Sequence, residues 1–266
     1  MLLAVDMGNT QTALGLFDGK QLVQSWRMPT DRSLTKDDIH VRLLGFFSLY
    51  NLDIQVIEAI AFAGVVPQLL REWKAVAAQM GLEFMQVKPG CSPAIHIDAP
   101  HPEEVGADRI ANAVAAATLY GTPCIVVDFG TATNVDVIDE RGFYIGGAIA
   151  PGIGVSLDAL VARAAKLSSV SLEAPNHALG RNTTEALQSG TVIGAAAMAE
   201  GLVARIAKEM LLMDKTDESN EAAQKIQVIA TGGMADLVAS CTDLFDTVDR
   251  LLTLEGICEI WAQAHR

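Results

Sequence analysis

Apolar positions fall into short continuous runs at the start of the chain and take up helical spacing further along. Residues 2–6, 12–17 and 21–28 read as three strands, and the Asp18-Gly19 pair marks a hairpin between the last two. The pattern then changes to alternating helix and strand. Residues 34–50 predict a helix, 59–65 a strand, 67–80 a helix and 84–87 a strand. Residues 89–102 carry four prolines and predict a long loop. Beyond it, residues 106–120 predict an alanine-rich helix and 124–128 a further buried strand. Asn182 and Glu185 have the spacing of an N-cap with its reciprocal partner, opening a long helix through about Ala207. Residues 227–230 form a last apolar run before Thr231-Gly232-Gly233-Met234.

An internal repeat organises these elements. LLAVDMGNTQTALGLFDG, starting at Leu2, resembles CIVVDFGTATNVDVIDER, starting at Cys124, with Asp6 over Asp128 and Gly8 over Gly130. Each copy is an apolar strand, an acid, a glycine turn with small polar residues, and an alternating strand. The repeat predicts two similar α/β halves, residues 1–113 and 114–266, facing each other across a cleft where a small molecule would bind.

The first turn, Asp6, Met7, Gly8, Asn9, Thr10, Gln11, Thr12 and Ala13, has the parts of a phosphate cradle. Gly8 admits close approach of backbone amides to an anion, and Asn9, Thr10 and Thr12 offer side-chain hydrogen bonds. Asp6 would serve a hydrated Mg2+, which keeps its waters and takes one or two carboxylates. An ordinary turn with a capping Asp fits either copy alone. The Gly-Gly turn at 232–233 precedes a helix and suits contact with a base or ribose, or simply a tight connection. Asp108 follows Gly106 and Ala107 at a helix start and adjoins Arg109. It is a candidate proton acceptor, or an acid placed by the helix dipole.

Composition narrows the partners. The 266 residues include 32 acidic and 19 basic side chains, for a net charge of −13. That balance lacks the basic footprint of nucleic-acid binding and of a polybasic membrane patch. Cys91, Cys124, Cys241 and Cys258 are scattered, with neither zinc-site nor disulfide-framework spacing. No uninterrupted apolar run reaches the length of a membrane span. A cytoplasmic, reduced protein is expected.

Five segments in order, DMGNTQTALGLFDG, EEVGADRIANAVAA, DFGTATNVDVID, GGAIAPGIGVSLDAL and TTEALQSGTVIGAAAMAEGL, resemble the type III pantothenate kinases, and the three turns resemble the phosphate and adenosine motifs of the wider acetate-kinase, sugar-kinase, Hsp70 and actin superfamily. The resemblance implies duplicated ribonuclease H-like (actin-like ATPase) domains and ATP-dependent phosphorylation of pantothenate, the first step of coenzyme A biosynthesis. It implies ATP contacts from residues 6–13 and Thr131, and pantothenate contacts from Gly106, Ala107, Asp108, Arg109 and Thr183. Asp108 would be the general base, and Asp128 would hold a monovalent cation, K+ or NH4+. It also implies a homodimer, to which the small residues Gly190, Gly194, Ala197 and Gly201 would contribute. Three places depart from the family pattern. Ala99 stands where a Tyr is common, Cys91-Ser92-Pro93-Ala94 replaces a Lys-Thr-Gly-like stretch, and Asn134 replaces a Thr. The altered loop, residues 91–99, leaves room for a kinase of another small alcohol or for a non-catalytic, regulatory nucleotide- or pantothenate-binding relative.

Overall fold

A computed structural model describes residues 1–64, 66–93, 95–164, 167, 169–214 and 225–266. Val65, expected to end a strand, and Ala94 of the altered loop lie outside the described residues. The chain divides into two compact units, residues 1–118 with 251–266, and residues 119–250.

The first unit opens on β1 (Leu2–Met7), β2 (Gln11–Asp18) and β3 (Gln21–Pro29), an antiparallel meander whose last hairpin turns at Gly19 with φ +57°. After it come α1 (Lys36–Leu49), β4 (Ala59–Gly64), α2 (Pro67–Met80) and β5 (Glu83–Gln86), giving the strand order β3-β2-β1-β4-β5 with β4 and β5 parallel to β1. Thr35 caps α1 in a reciprocal box with Asp38, which is why the helix begins two residues later than the apolar pattern suggests. Pro67 starts α2, and Gly81 ends it at φ +70°. Leu3, Val5, Leu14, Leu16, Ile60 and Phe62 from the strands pack with Ile39, Leu43 and Phe47 of α1 and with Leu69, Trp73 and Val76 of α2. The proline-rich segment is less irregular than expected, because it holds a short strand, β6 (His96–Ile97), and leads to a 3-10 turn, Pro102–Glu104, ahead of α3 (Ala107–Leu119).

The second unit repeats the plan. β7 (Cys124–Phe129), β8 (Ala132–Ile138) and β9 (Phe143–Pro151) form a meander, followed by α4 (Ile153–Arg163), α5 (Thr183–Gln188), a π-helical turn (Ser189–Ile193), α6 (Gly194–Asp214), β10 (Gln227–Thr231), α7 (Ala235–Ala239) and β11 (Thr247–Val248). Its strands run β11-β10-β7-β8-β9, with β10 and β11 parallel as β4 and β5 are. Ile125, Val127, Val135 and Val137 pack against Ala195, Ala196, Ala199 and Val203 of α6 and Ala235 and Val238 of α7.

The helix opened at Asn182 runs to Asp214 rather than to about Ala207, and it is not uniform. Within the π turn the Thr191 hydroxyl donates to the Leu187 carbonyl at 2.6 Å, a local bond that competes with the backbone ladder, and Gly190 inside the turn and Gly194 just after it weaken the helix there. Residues Thr183–Leu211 are long and apolar enough to cross a membrane by composition. Leu187, Val192, Ala196, Ala199 and Val203 are buried along one side, and 28% of the most apolar stretch is buried in all.

The last helix, α8 (Leu252–Ala264), belongs to the first unit. The expected division at 113/114 falls inside α3, and α8 docks on that same helix. The Thr253 hydroxyl donates to the fully buried Asn112 side chain at 2.7 Å. Gly256 lies so close to Ala111 that a Cβ there would meet the Ala111 backbone.

Candidate active site

Asp6 and Asp128 occupy equivalent places. Asp6, near the end of β1, stands opposite Ala13 of β2 and Ala63 of β4, and Asp128 on β7 stands opposite Asn134 of β8 and Thr231 of β10. Both are half-buried at the carboxyl ends of parallel strands, where open α/β sheets bind ligands. A single half-exposed carboxylate suits a hydrated Mg2+ or a monovalent ion better than a closed metal cage. Among the described residues, no group of three or more His, Cys, Asp or Glu side chains could hold a metal.

In the first turn the Gly8 amide donates to the Gln11 carbonyl at 3.0 Å, and a Cβ on Gly8 would press on that carbonyl at 3.2 Å. Asn9, Thr10 and Gln11 are exposed. Met7 and Thr12 are buried, so Met7 brings only backbone to the turn. The Thr12 hydroxyl is paired with that of Thr30 at 2.9 Å, and the Thr30 amide donates to the Thr10 carbonyl at 2.9 Å. Arg32 donates from Nη2 to Asn9 Oδ1 at 3.2 Å. Neither Thr30 nor Arg32 stands out in the sequence, since they follow a strand with no motif spacing.

Gly106, Ala107, Asp108 and Arg109 open α3, all partly exposed. The Gly106 carbonyl accepts from the Ile110 amide at 3.0 Å, and Asp108 Oδ1 accepts from the Arg109 amide at 2.9 Å. A Cβ at Gly106 would lie 2.5 Å from that same Asp108 oxygen, so glycine is required for the carboxylate to fold back over the helix start.

Glycines surround the second turn. The Gly130 amide donates to the Ala132 carbonyl at 3.0 Å, and the Gly152 amide to the Thr131 carbonyl at 3.1 Å. Gly232, at φ +93°, leaves a space that the Asp128 carboxylate and the Phe129 backbone fill, and the Met234 amide donates to the Phe129 carbonyl at 3.1 Å. The Gly-Gly turn is thus packed directly on the Asp128 turn. Gly152 lies in the GGAIAPGIGVSLDAL segment that resembles the family, but its contact with the Thr131 turn carries no mark in the sequence.

Thr183 is exposed at the start of α5. Asn182 caps the helix by accepting from the Glu185 amide at 2.9 Å, leaving the Thr183 hydroxyl outside the cap. The return bond differs from the expected reciprocal one, because Glu185 Oε2 accepts from the Arg181 amide at 2.7 Å, one residue earlier. In the altered loop, the buried Ser92 hydroxyl donates to Gln263 Oε1 of α8 at 2.6 Å, and Ala99 is partly exposed. Burial pushes the Cys91 thiol up, and that of Cys124 to about 12, which disfavours thiolate chemistry at either.

The family model for type III pantothenate kinase matches residues 2–205. The chain is 43% identical over 263 residues to a type III pantothenate kinase of Streptomyces coelicolor, covering 97% of this chain and 96% of that one. It is 42% identical to one of Thermomicrobium roseum, covering 100% and 98%. Among solved structures, a protein of Campylobacter jejuni described as a Baf family transcriptional activator superposes with a TM-score of 0.59 at 21% identity, covering 97% and 96%. Component A of the (R)-2-hydroxyglutaryl-CoA dehydratase of Acidaminococcus fermentans gives 0.53 at 14% identity, covering 99% and 96%, and these two likenesses speak to the actin-like fold alone. With its motifs in register on that fold and the family model spanning most of its length, the chain belongs to the type III pantothenate kinases.

Proposed function

We infer that four segments of this chain divide the family's reaction, the ATP-dependent phosphorylation of pantothenate in coenzyme A biosynthesis. Residues 6–13 cradle the phosphates of ATP, and the Thr131 hydroxyl is a further ATP contact. Asp108 accepts the proton of the pantothenate hydroxyl as its oxygen bonds to the terminal phosphorus and ADP leaves, giving 4'-phosphopantothenate. Gly106, Ala107, Arg109 and Thr183 orient pantothenate, Arg109 through a carboxylate-matching fork. Asp6 would hold Mg2+ through water and Asp128 a K+ or NH4+ ion. Bound there, these ions offset phosphate charge.

The observation that carries this reading is the Asp108 carboxylate at the start of α3, held by the Arg109 amide over a glycine that leaves it room. Asp108→Asn keeps the size and that hydrogen bond but cannot take the proton. It should lower kcat by about 10²- to 10⁴-fold, the usual worth of a general base, with binding of an ATP analogue unchanged. ADP release from the variant at the wild-type rate would remove Asp108 from the chemistry, and no ADP release from the wild type with pantothenate, Mg2+ and K+ would point to another acceptor.

A second copy of the chain is the proposed partner. Gly190, Gly194, Ala197 and Gly201 are all exposed along one side of the Asn182 helix, and nothing lies within reach of a Cβ at Gly190 or Gly201. Such a face permits close helix contact in a symmetric dimer. The four free thiols support a cytoplasmic setting.

A further inference from the structure

Residues 6–13 contain no lysine or arginine, although a nucleotide's phosphate chain is strongly anionic and the protein carries −13. The structure supplies a cation to this turn from elsewhere in the first unit. Residues 30–33 follow β3 and are stitched onto the turn by the Thr30 amide on the Thr10 carbonyl at 2.9 Å, by the Thr30 and Thr12 hydroxyls at 2.9 Å, and by Arg32 on Asn9 at 3.2 Å. The acid beside Arg32 does not neutralise it through a direct contact. Asp31 Oδ1 instead accepts from the Ser33 amide at 2.9 Å and from the Ser33 hydroxyl at 2.6 Å, within its own tight turn. Arg32 is exposed, and its guanidinium has five N–H donors, of which Asn9 engages one.

We propose that Arg32 is the cationic contact of the phosphate turn and that its guanidinium grips the terminal phosphates of ATP. The inference rests on the reading of residues 6–13 as the phosphate turn and adds to it the charge that the turn itself lacks. Backbone amides orient a phosphate but carry only partial charge. A guanidinium adds a full charge and paired, parallel N–H donors that match two phosphate oxygens. Asn9 holds the side chain beside the turn before ATP arrives, so less rotamer freedom is lost on binding. Phosphoryl transfer depends mainly on positioning and charge stabilisation, so the contact acts in the transition state as well as in the ground state.

The test compares Arg32→Gln, Arg32→Lys and Asp6→Asn in the full chain. ATP and pantothenate are varied separately in steady-state assays, and calorimetry follows a non-hydrolysable ATP analogue and AMP. Arg32→Gln should weaken the ATP analogue and raise KM for ATP by about tenfold to a hundredfold, the worth of a charged hydrogen bond. It should leave KM for pantothenate and affinity for AMP near the wild-type values. Arg32→Lys should recover part of the loss, as a point charge without the fork. If Arg32→Gln binds the analogue as the wild type does while Asp6→Asn loses it, the inference about Arg32 fails and the phosphate-turn reading stands. Unchanged binding in both variants would overturn both. Equal weakening of ATP analogue and AMP would also overturn the inference, since the residue would then be shaping the turn and not holding the terminal phosphates.

Discussion

The contact between α3 and α8 sets where Asp108 stands, and replacing Gly256 with alanine tests it. Glycine inside a helix ordinarily costs about 1 kcal/mol relative to alanine, so the substitution should stabilise α8 if nothing opposed it. In this structure the added Cβ would lie 3.0 Å from Ala111 Cα and 2.5 Å from its carbonyl carbon, and closer still to its oxygen. Carbon atoms pack best at about 3.5–4.0 Å, so the helices would have to part by roughly 1 Å. The obstacle is backbone, which no rotamer change can move aside, and overpacking of this kind costs about 1–3 kcal/mol and sometimes more. Parting the helices also strains the Thr253–Asn112 hydrogen bond beside it, a bond to a fully buried side chain. Set against the helix gain, the net loss should be about 2 kcal/mol. Because Asp108 lies one turn before Ala111 on α3, a displacement of roughly 1 Å should reach it and lower kcat by up to about a hundredfold. Denaturant midpoints and steady-state kinetics measure the two effects. Gly45→Ala is the control, because Gly45 is exposed in the middle of α1 with nothing within reach of a Cβ, and it should gain about 0.5–1 kcal/mol. A Gly256→Ala protein as stable and active as the Gly45→Ala control would refute the reasoning.

Three further substitutions probe other parts of the molecule. Gly232→Ala forces a side chain into φ +93° and against the Asp128 carboxylate, so it should cost about 1–3 kcal/mol in unfolding experiments and blunt the proposed activation by K+; unchanged stability and K+ response would remove Gly232 as a support of Asp128. His265 donates from Nε2 to Glu83 Oε1 at 3.0 Å and its pKa is raised, first by that bond and then by the Trp261 carbonyl. The sign follows from the raised value: the contribution is complete below the unfolded value of 6.5 and is lost as pH rises through the folded one, so His265→Gln should narrow the stability difference between pH 5.5 and pH 8, and an unchanged difference would count against the contact. Gly194→Arg places a long charged side chain on the exposed small-residue face and should shift the protein to monomer in light scattering, whereas a wild type already monomeric at micromolar concentration would dispose of the proposed dimer.

What the sequence revealed and what it concealed divide along a physical line. Asp6 and Asp128 were legible because each ends a run of apolar residues, followed by a glycine two positions on, and the parallel-strand register then fixes both at equivalent sheet positions. Apolar spacing places the start of α1 two residues early although local chemistry decides it, because spacing alone does not register the Thr35–Asp38 box. Gly256 carries no such mark, since its necessity comes from a helix far away in the chain, and within α8 alone it reads only as a weak helix former. Gly232 was visible as part of a turn, but its packing on Asp128 arises only when β10 aligns beside β7. Arg32 is the extreme case: nothing in its neighbours indicates that it reaches Asn9 across the meander. The π turn at Ser189–Ile193 was equally hidden, because the apolar periodicity continues through it while the hydrogen-bond ladder does not.

The distribution of charge shows why an acidic protein can be a kinase for an anionic substrate. Several of its carboxylates are held below the usual range by close donors: Asp31 by Ser33, Asp38 by Thr35, Asp236 by Arg250 and Asp246 by Lys225. They therefore stay ionised near neutral pH, and each is committed to a turn, a cap or an ion pair of its own. At physiological ionic strength their field decays over about 8 Å, so a surface acid farther than that from the phosphate turn has little say in whether ATP binds. The decision falls to groups within hydrogen-bonding reach. At the first turn these include the amides around Gly8 and the Arg32 guanidinium, and at the second the carboxylate of Asp128, which the proposed cation would neutralise. Net charge thus keeps the molecule soluble and away from polyanions, while a few donors brought together by the meander and its following loop set the sign of the potential where the phosphates lie.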